Sequence, residues 1–168
     1  MVIVGYARRV RASLQPAQVI DPAIAAGGDP AEIAAHCLIA VDPGFAERVR
    51  EGDVLVLDGS FAGGAGAEAA LIALQAAGLA ALICRTADAD LLALGARYGL
   101  PLLVAPEAAA QLGEGAVVRL DLERGHIASG DLRWTMPAAD PTTIAAARRV
   151  HLLARMRRVV EDEGLAEG

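Results

Sequence analysis

The chain has 168 residues, the size of one ordinary domain, of which 55% are hydrophobic and 21% charged, which excludes a largely disordered chain. Only 3% are aromatic (Tyr6, Phe45, Phe61, Tyr98 and Trp134), so Ala, Leu, Val and Ile must build the core, and a single-strand nucleic-acid reader with stacking platforms is excluded. The net charge of −6 argues against any nucleic-acid partner, and the 15 basic residues are all Arg, which removes Schiff-base and P-loop Lys chemistry.

Val2 to Tyr6 reads as a short buried strand, and Arg8 to Ala26 as an irregular stretch broken by Pro16 and Pro22. Asp29-Pro30 with Glu32 predicts the capped start of a helix that places Ile33, His36 and Cys37 on one face. A second short helix is expected from Asp42-Pro43 through Phe45 to Val49. After the turn Arg50 to Asp53, the run Val54-Leu55-Val56-Leu57 is the strongest strand signal in the chain. Gly59 to Gly66 reads as a glycine-rich loop, followed by an Ala/Leu helix from Ala67 to Ala77 that Gly78 ends. Ala80 to Cys84 predicts a buried strand, Asp88 to Gly95 a helix, and Leu102 to Val104 a further strand. Val117 to Leu122 alternates as a strand, Glu123 to His126 turns like a hairpin, and Thr142 to Glu163 predicts a long arginine-rich helix. Strands alternating with helices predict a layered α/β domain. The expected division is a domain over 1–136, with a linker and terminal helix over 137–168 packed on it or extending from it.

Two cysteines, Cys37 and Cys84, form no CxxC pair and cannot ligate a cluster or a structural zinc alone. Their low number points to a cytoplasmic protein, no apolar run is long enough to span a membrane, and the opening residues have the reverse order of a signal peptide. His36, His126 and His151 form no ligand set, and Ser13, Ser60 and Ser129 have no evident His and Asp partners, so neither a metal site nor a catalytic residue is assigned. Cys84 is expected in the core. Arg85 and Asp88 end a predicted strand on the side where α/β sheets bind ligands. The terminal helix, with Arg148, Arg149, Arg155, Arg157 and Arg158, is expected to turn a basic face to solvent, or else to dock on an acidic surface or a partner helix.

A strand, a glycine loop and a helix N-terminus together offer backbone N–H groups to an anion. Gly64-Ala65-Gly66-Ala67-Glu68-Ala69 fits a GxGxxA dinucleotide pattern, but it follows its strand too late for the tight turn that pattern needs.

The order of features from Asp29 to Ile127 resembles the small subunit of 3-isopropylmalate dehydratase, the swivel domain of the aconitase family. The resemblance is carried by Asp29 to His36, Asp42-Pro43-Gly44-Phe45-Ala46, Gly52 to Val56, Ser60-Phe61, Ala73 to Gly78, Gly99 to Leu103 and Val118 to Ile127. It implies an α/β swivelling β/β/α fold. It also implies a hydro-lyase role as lid to a large subunit holding a [4Fe–4S] cluster, with no cofactor on this chain, in a heterodimer serving leucine biosynthesis.

Two segments depart from that pattern. The family loop FGCGSSREHA is replaced here by Phe61-Ala62-Gly63-Gly64-Ala65-Gly66-Ala67-Glu68-Ala69-Ala70. The implied serine base falls near Ala65 or Gly66 and the implied substrate-binding arginine at Ala67, and a methyl group can neither take a proton nor clamp a carboxylate. The family motif VDTDxII aligns with Leu14 to Ile20 and loses both aspartates. The expected contact surface for a small carboxylate or a partner is therefore Gly63, Gly64, Ala65, Gly66, Ala67 and Arg85, largely through backbone. A catalytically inactive swivel domain with a regulatory or assembly role, a homo-oligomer, and a stand-alone anion binder are the alternatives.

Overall fold

Val54, Leu55, Val56 and Leu57 are all fully buried, which requires a strand covered on both faces, as parallel strands are. The computed structural model of the chain describes residues 1–166 and provides that cover. Its strands are β1 (Val2–Val10), β2 (Val54–Phe61), β3 (Ala81–Ala87), β4 (Leu102–Val104), β5 (Val117–Asp121), β6 (His126–Ser129) and β7 (Leu132–Thr135). Its helices are α1 (Pro16–Val19), α2 (Pro22–Gly27), α3 (Pro30–His36), α4 (Phe45–Arg48), α5 (Ala67–Ala76), α6 (Ala89–Tyr98), α7 (Pro106–Gln111) and α8 (Pro141–Ala166). The strands form one sheet in the order β4-β3-β2-β1-β5-β6-β7. The first four strands are parallel and the last three run antiparallel to their neighbours.

Alternation along the strands divides the interior in two. Leu55, Leu57, Leu82 and Cys84 face a core closed by Val19, Ile33, Phe45, Leu71 and Leu91 from the crossover helices. Val54, Val56, Ala81 and Ile83 face a second core closed by Ala108 and Ala109 of α7, by Val118, Leu120, Ile127 and Trp134, and by Ile144 of α8. α8 is docked at its beginning: Ile144 and Ala147 are buried, and Gly99 lies so close that a Cβ there would sit 2.6 Å from the Ala146 carbonyl oxygen. Among the described residues no helix is long and apolar enough to cross a membrane.

The structure extends several elements beyond the sequence reading. β1 runs to Val10 because Arg8 and Arg9 have ion-pair partners, Asp53 at 2.6 Å and Asp58 at 2.7 Å, that make charged residues tolerable in a central strand. β2 runs to Phe61 because Leu14 bridges to Phe61 and holds Gly59 and Ser60 in extended form. The stretch read as irregular holds α1 and α2, the latter capped by Asp21, whose side chain accepts from the Ala23 amide at 2.8 Å. α6 continues three residues past Gly95 to Tyr98, and α7, β6 and β7 occupy stretches to which the sequence reading assigned no element, β6 starting at the last residue of the hairpin turn.

Candidate functional site

β2 ends at Phe61 and α5 begins at Ala67, so the loop between them is Ala62 to Gly66. Gly64 and Gly66 have φ of +97° and +84°, a region that favours glycine. The Leu14 amide donates to the Ser60 carbonyl at 2.8 Å, and the Ala62 amide donates back to the Leu14 carbonyl at 2.9 Å. A Cβ on Gly66 would lie 3.4 Å from Pro16 Cβ. The two segments that depart from the resemblance, Leu14 to Ile20 and the glycine loop, are therefore neighbours at the C-terminal ends of β1 and β2, the side of a parallel sheet where ligands bind.

The charges around this loop are negative. The Gly63 amide donates to Asp88 Oδ2 at 2.7 Å, so the carboxylate at the start of α6 is spent on the loop rather than on its own helix. Glu68 in the first turn of α5 accepts from the Tyr98 hydroxyl, tying α5 to α6, and this bond raises the Tyr98 phenol above its ordinary value. The amides of Gly64, Ala65 and Gly66 donate to no partner among the described residues, and all three residues are exposed. Ala67 differs: its side chain is buried in the core and its amide donates to the Gly64 carbonyl, so it offers a ligand nothing.

Arg85 does not join this loop. It follows Ile83 in the alternation and so projects from the opposite face, where its Nε donates to Asp58 Oδ1 at 2.5 Å. Asp58 also accepts from Arg9 at 2.7 Å, and Arg9 in turn donates to the Ala109 and Leu112 carbonyls that end α7. The Arg85 hydrogen bond, aided by the charges of Arg9 and Arg11, holds the Asp58 carboxyl below the usual carboxylate range. A second cluster joins Arg8, Arg48 and the Arg9 amide on Glu114. Neither cluster was singled out from the sequence, because the partners lie 27 to 106 positions apart.

The remaining candidates are structural. Cys37 and Cys84 are buried, and burial pushes their thiols up to about 12 and about 11. His36 bonds through Nδ1 to the Glu32 carbonyl of its own helix, and His126 and His151 are exposed. Among the described residues no group of three metal-ligating side chains converges. A cleft of about 950 Å³ lies away from the loop, between the first turn of α7 and β5 to β7, with Arg119, Arg124, His126 and Arg133 on its walls.

No family model matches the chain. It is 38% identical over 138 residues to the 3-isopropylmalate dehydratase small subunit of Heliobacterium modesticaldum, a match covering 82% of this chain and 76% of that one. This chain belongs to the 3-isopropylmalate dehydratase small-subunit family. The corresponding subunit of Moorella thermoacetica is 36% identical over 111 residues, covering 66% of this chain and 67% of that one. The 2,3-dimethylmalate dehydratase small subunit of Eubacterium barkeri is 35% identical over 99 residues, covering 59% and 61%. The crystal structure of 3-isopropylmalate dehydratase from Methanocaldococcus jannaschii superposes with a TM-score of 0.75 at 22% identity, covering 98% of this chain and 99% of that one. That likeness shows the fold, the swivel-type α/β fold expected of the family.

Proposed function

We propose that the chain is the small, swivelling subunit of an aconitase-family hydro-lyase, closing as a lid over a large subunit that carries a [4Fe–4S] cluster. One observation supports this most: the glycine loop and the segment Leu14 to Ile20 abut at one end of the sheet, and the loop apex is exposed and free of long side chains. Such an apex lets the backbone of a partner or its bound substrate come close. The relatives' names specify 3-isopropylmalate and 2,3-dimethylmalate, so the substrate class we infer is an alkyl-substituted malate held by the large subunit. Work on 3-isopropylmalate would place the pair in leucine biosynthesis.

This chain's own residues do not suit a cluster: both cysteines are buried with raised thiol pKa values. When present, the cluster would supply Lewis-acid activation of the substrate from the large subunit. This chain would contribute position, exclusion of water, and the free amides of Gly64, Ala65 and Gly66. Ala65 and Ala67 exchange no proton, so acid–base work falls to the large subunit.

A second reading, a swivel domain that regulates or assembles a complex without a catalytic share, is favoured by that same lack of a proton-transfer group. A stand-alone anion site is disfavoured, because Asp88 and Glu68 place carboxylates at the loop rim. The test is anaerobic purification of the tagged chain from its own host, with mass spectrometry and iron and sulfide analysis. Recovery of an aconitase-type large subunit containing iron and sulfide in equal stoichiometry is the expected result. Recovery of the chain without it overturns the lid role.

A further inference from the structure

The 26-residue helix α8 has two apolar faces, and the body of the protein covers only one. Ala147, Val150, His151, Ala154 and Arg158 line the small gap between α8 and the body, and Arg158 reaches Glu51 at 3.4 Å. These positions follow one stripe at 3.6 residues per turn. Leu152, Leu153, Met156, Val159 and Val160 lie on the diametrically opposite side, within about 60° of the direction that Met156 defines. All five are 54–68% exposed. The arginines of the helix are solvated as expected, but the outward face between them is a continuous apolar seam, and such a seam ordinarily meets a partner.

The charges at its ends specify the partner. Arg149 sits on the outward face seven residues before Met156, and Glu163 sits on it seven residues after. Neither has an ion-pair partner among the described residues. If two copies of α8 lie antiparallel with the Met156 side chains on the axis, Leu152 faces Val160, Leu153 faces Val159, and Arg149 faces Glu163 twice. Parallel packing would set Arg149 beside Arg149 and Glu163 beside Glu163. We infer that the outward face of α8 pairs with a second copy of this chain, in a two-fold symmetric, antiparallel helix contact centred on Met156. This contact is separate from the glycine loop and does not depend on the lid role.

Sedimentation velocity of the purified chain, from low to high micromolar concentration, tests it. The expected species is a concentration-dependent dimer of twice 17.2 kDa. M156R, which sets two guanidinium groups against each other on the axis, is expected to be monomeric with an unchanged circular dichroism spectrum. R149E and E163R should each weaken the dimer about tenfold, and the double variant R149E/E163R should restore it. A wild-type chain monomeric at every concentration overturns the inference. So does a dimer that survives M156R, a double variant without rescue, or a seam whose substitution disturbs only binding of a large subunit.

Discussion

Gly59 tests whether the two altered segments are held together as described. Its φ is outside the left-handed region, so alanine is conformationally acceptable there and any cost comes from space. An alanine Cβ at this position would lie 2.5 Å from the Ala12 carbonyl oxygen, 2.8 Å from its carbon and 2.9 Å from the Ser13 nitrogen. All three are backbone atoms, so no rotamer change relieves the overlap, and residues 12 to 14 must withdraw from β2. That movement strains the reciprocal hydrogen bonds between Leu14 and the strand, at 2.8 and 2.9 Å, and begins to expose Leu14, which is 1% exposed. Overpacking costs about 1–3 kcal/mol and each weakened backbone bond up to about 1 kcal/mol, so Gly59→Ala should destabilise by about 3 kcal/mol. For a chain of this length the melting temperature falls by about 6–12 °C. Urea unfolding followed by circular dichroism measures it. Gly27→Ala is the control: nothing lies within 4 Å of its Cβ position, and it ends α2 without a positive φ. It should be neutral or stabilise by up to about 1 kcal/mol. A loss under about 1 kcal/mol for Gly59→Ala would refute the close crossing of the two segments.

Asp53 is 2% exposed and accepts from Arg8 at 2.6 Å and from the Arg50 amide at 2.8 Å. Asp53→Ala leaves Arg8 with only Glu114 at 3.3 Å and should cost about 3 kcal/mol in the same urea assay. Acid should destabilise the fold. The carboxyls of Asp58 and Glu123 are held low by Arg85 and by the N-terminal ammonium, and that of Asp140 by the Thr143 amide. Burial raises Glu114, but the Arg9 amide and the Arg48 and Arg8 guanidiniums outweigh it. A carboxyl whose folded pKa is depressed contributes its full stabilisation above the unfolded value and loses it as pH falls through the folded one. Stability should therefore be flat near neutrality and decline below about pH 5, read by melting temperature against pH. Both thiols should resist a disulfide reagent at pH 8 in the native protein and react fully in urea, since burial holds them protonated at that pH.

The central strands were readable because their signal is local. Val54 to Leu57 and Ala81 to Cys84 are apolar on both faces and need no distant information. The Asp29-Pro30 cap was equally local, and the same Asp-Pro signal at Asp21-Pro22 could have located α2. What the sequence hid depends on partners far along the chain. Arg8 and Arg9 look unlike strand residues until Asp53 and Asp58 are placed beside them. At the site, the glycine loop stood out by composition, and its junction with residues 14 to 20 could be guessed only through the family pattern. Arg85 was misplaced for a simple reason. Its position at a strand end suggested the loop, while the two-residue alternation through Ala81 and Ile83 sends it to the other face.

If the loop face receives a large subunit, a bulky side chain there must block the complex. Ala65 gives the cleanest perturbation, because it is exposed at the loop apex and has an ordinary φ. The measurement is binding of a purified, anaerobically prepared aconitase-type large subunit from the same host, by calorimetry, to the wild-type chain and to Ala65→Trp. A one-to-one complex is expected with the wild-type chain. Binding at least about a hundredfold weaker is expected for Ala65→Trp, with its melting temperature unchanged. Equal affinity for both chains, or no complex with either, would contradict the lid role.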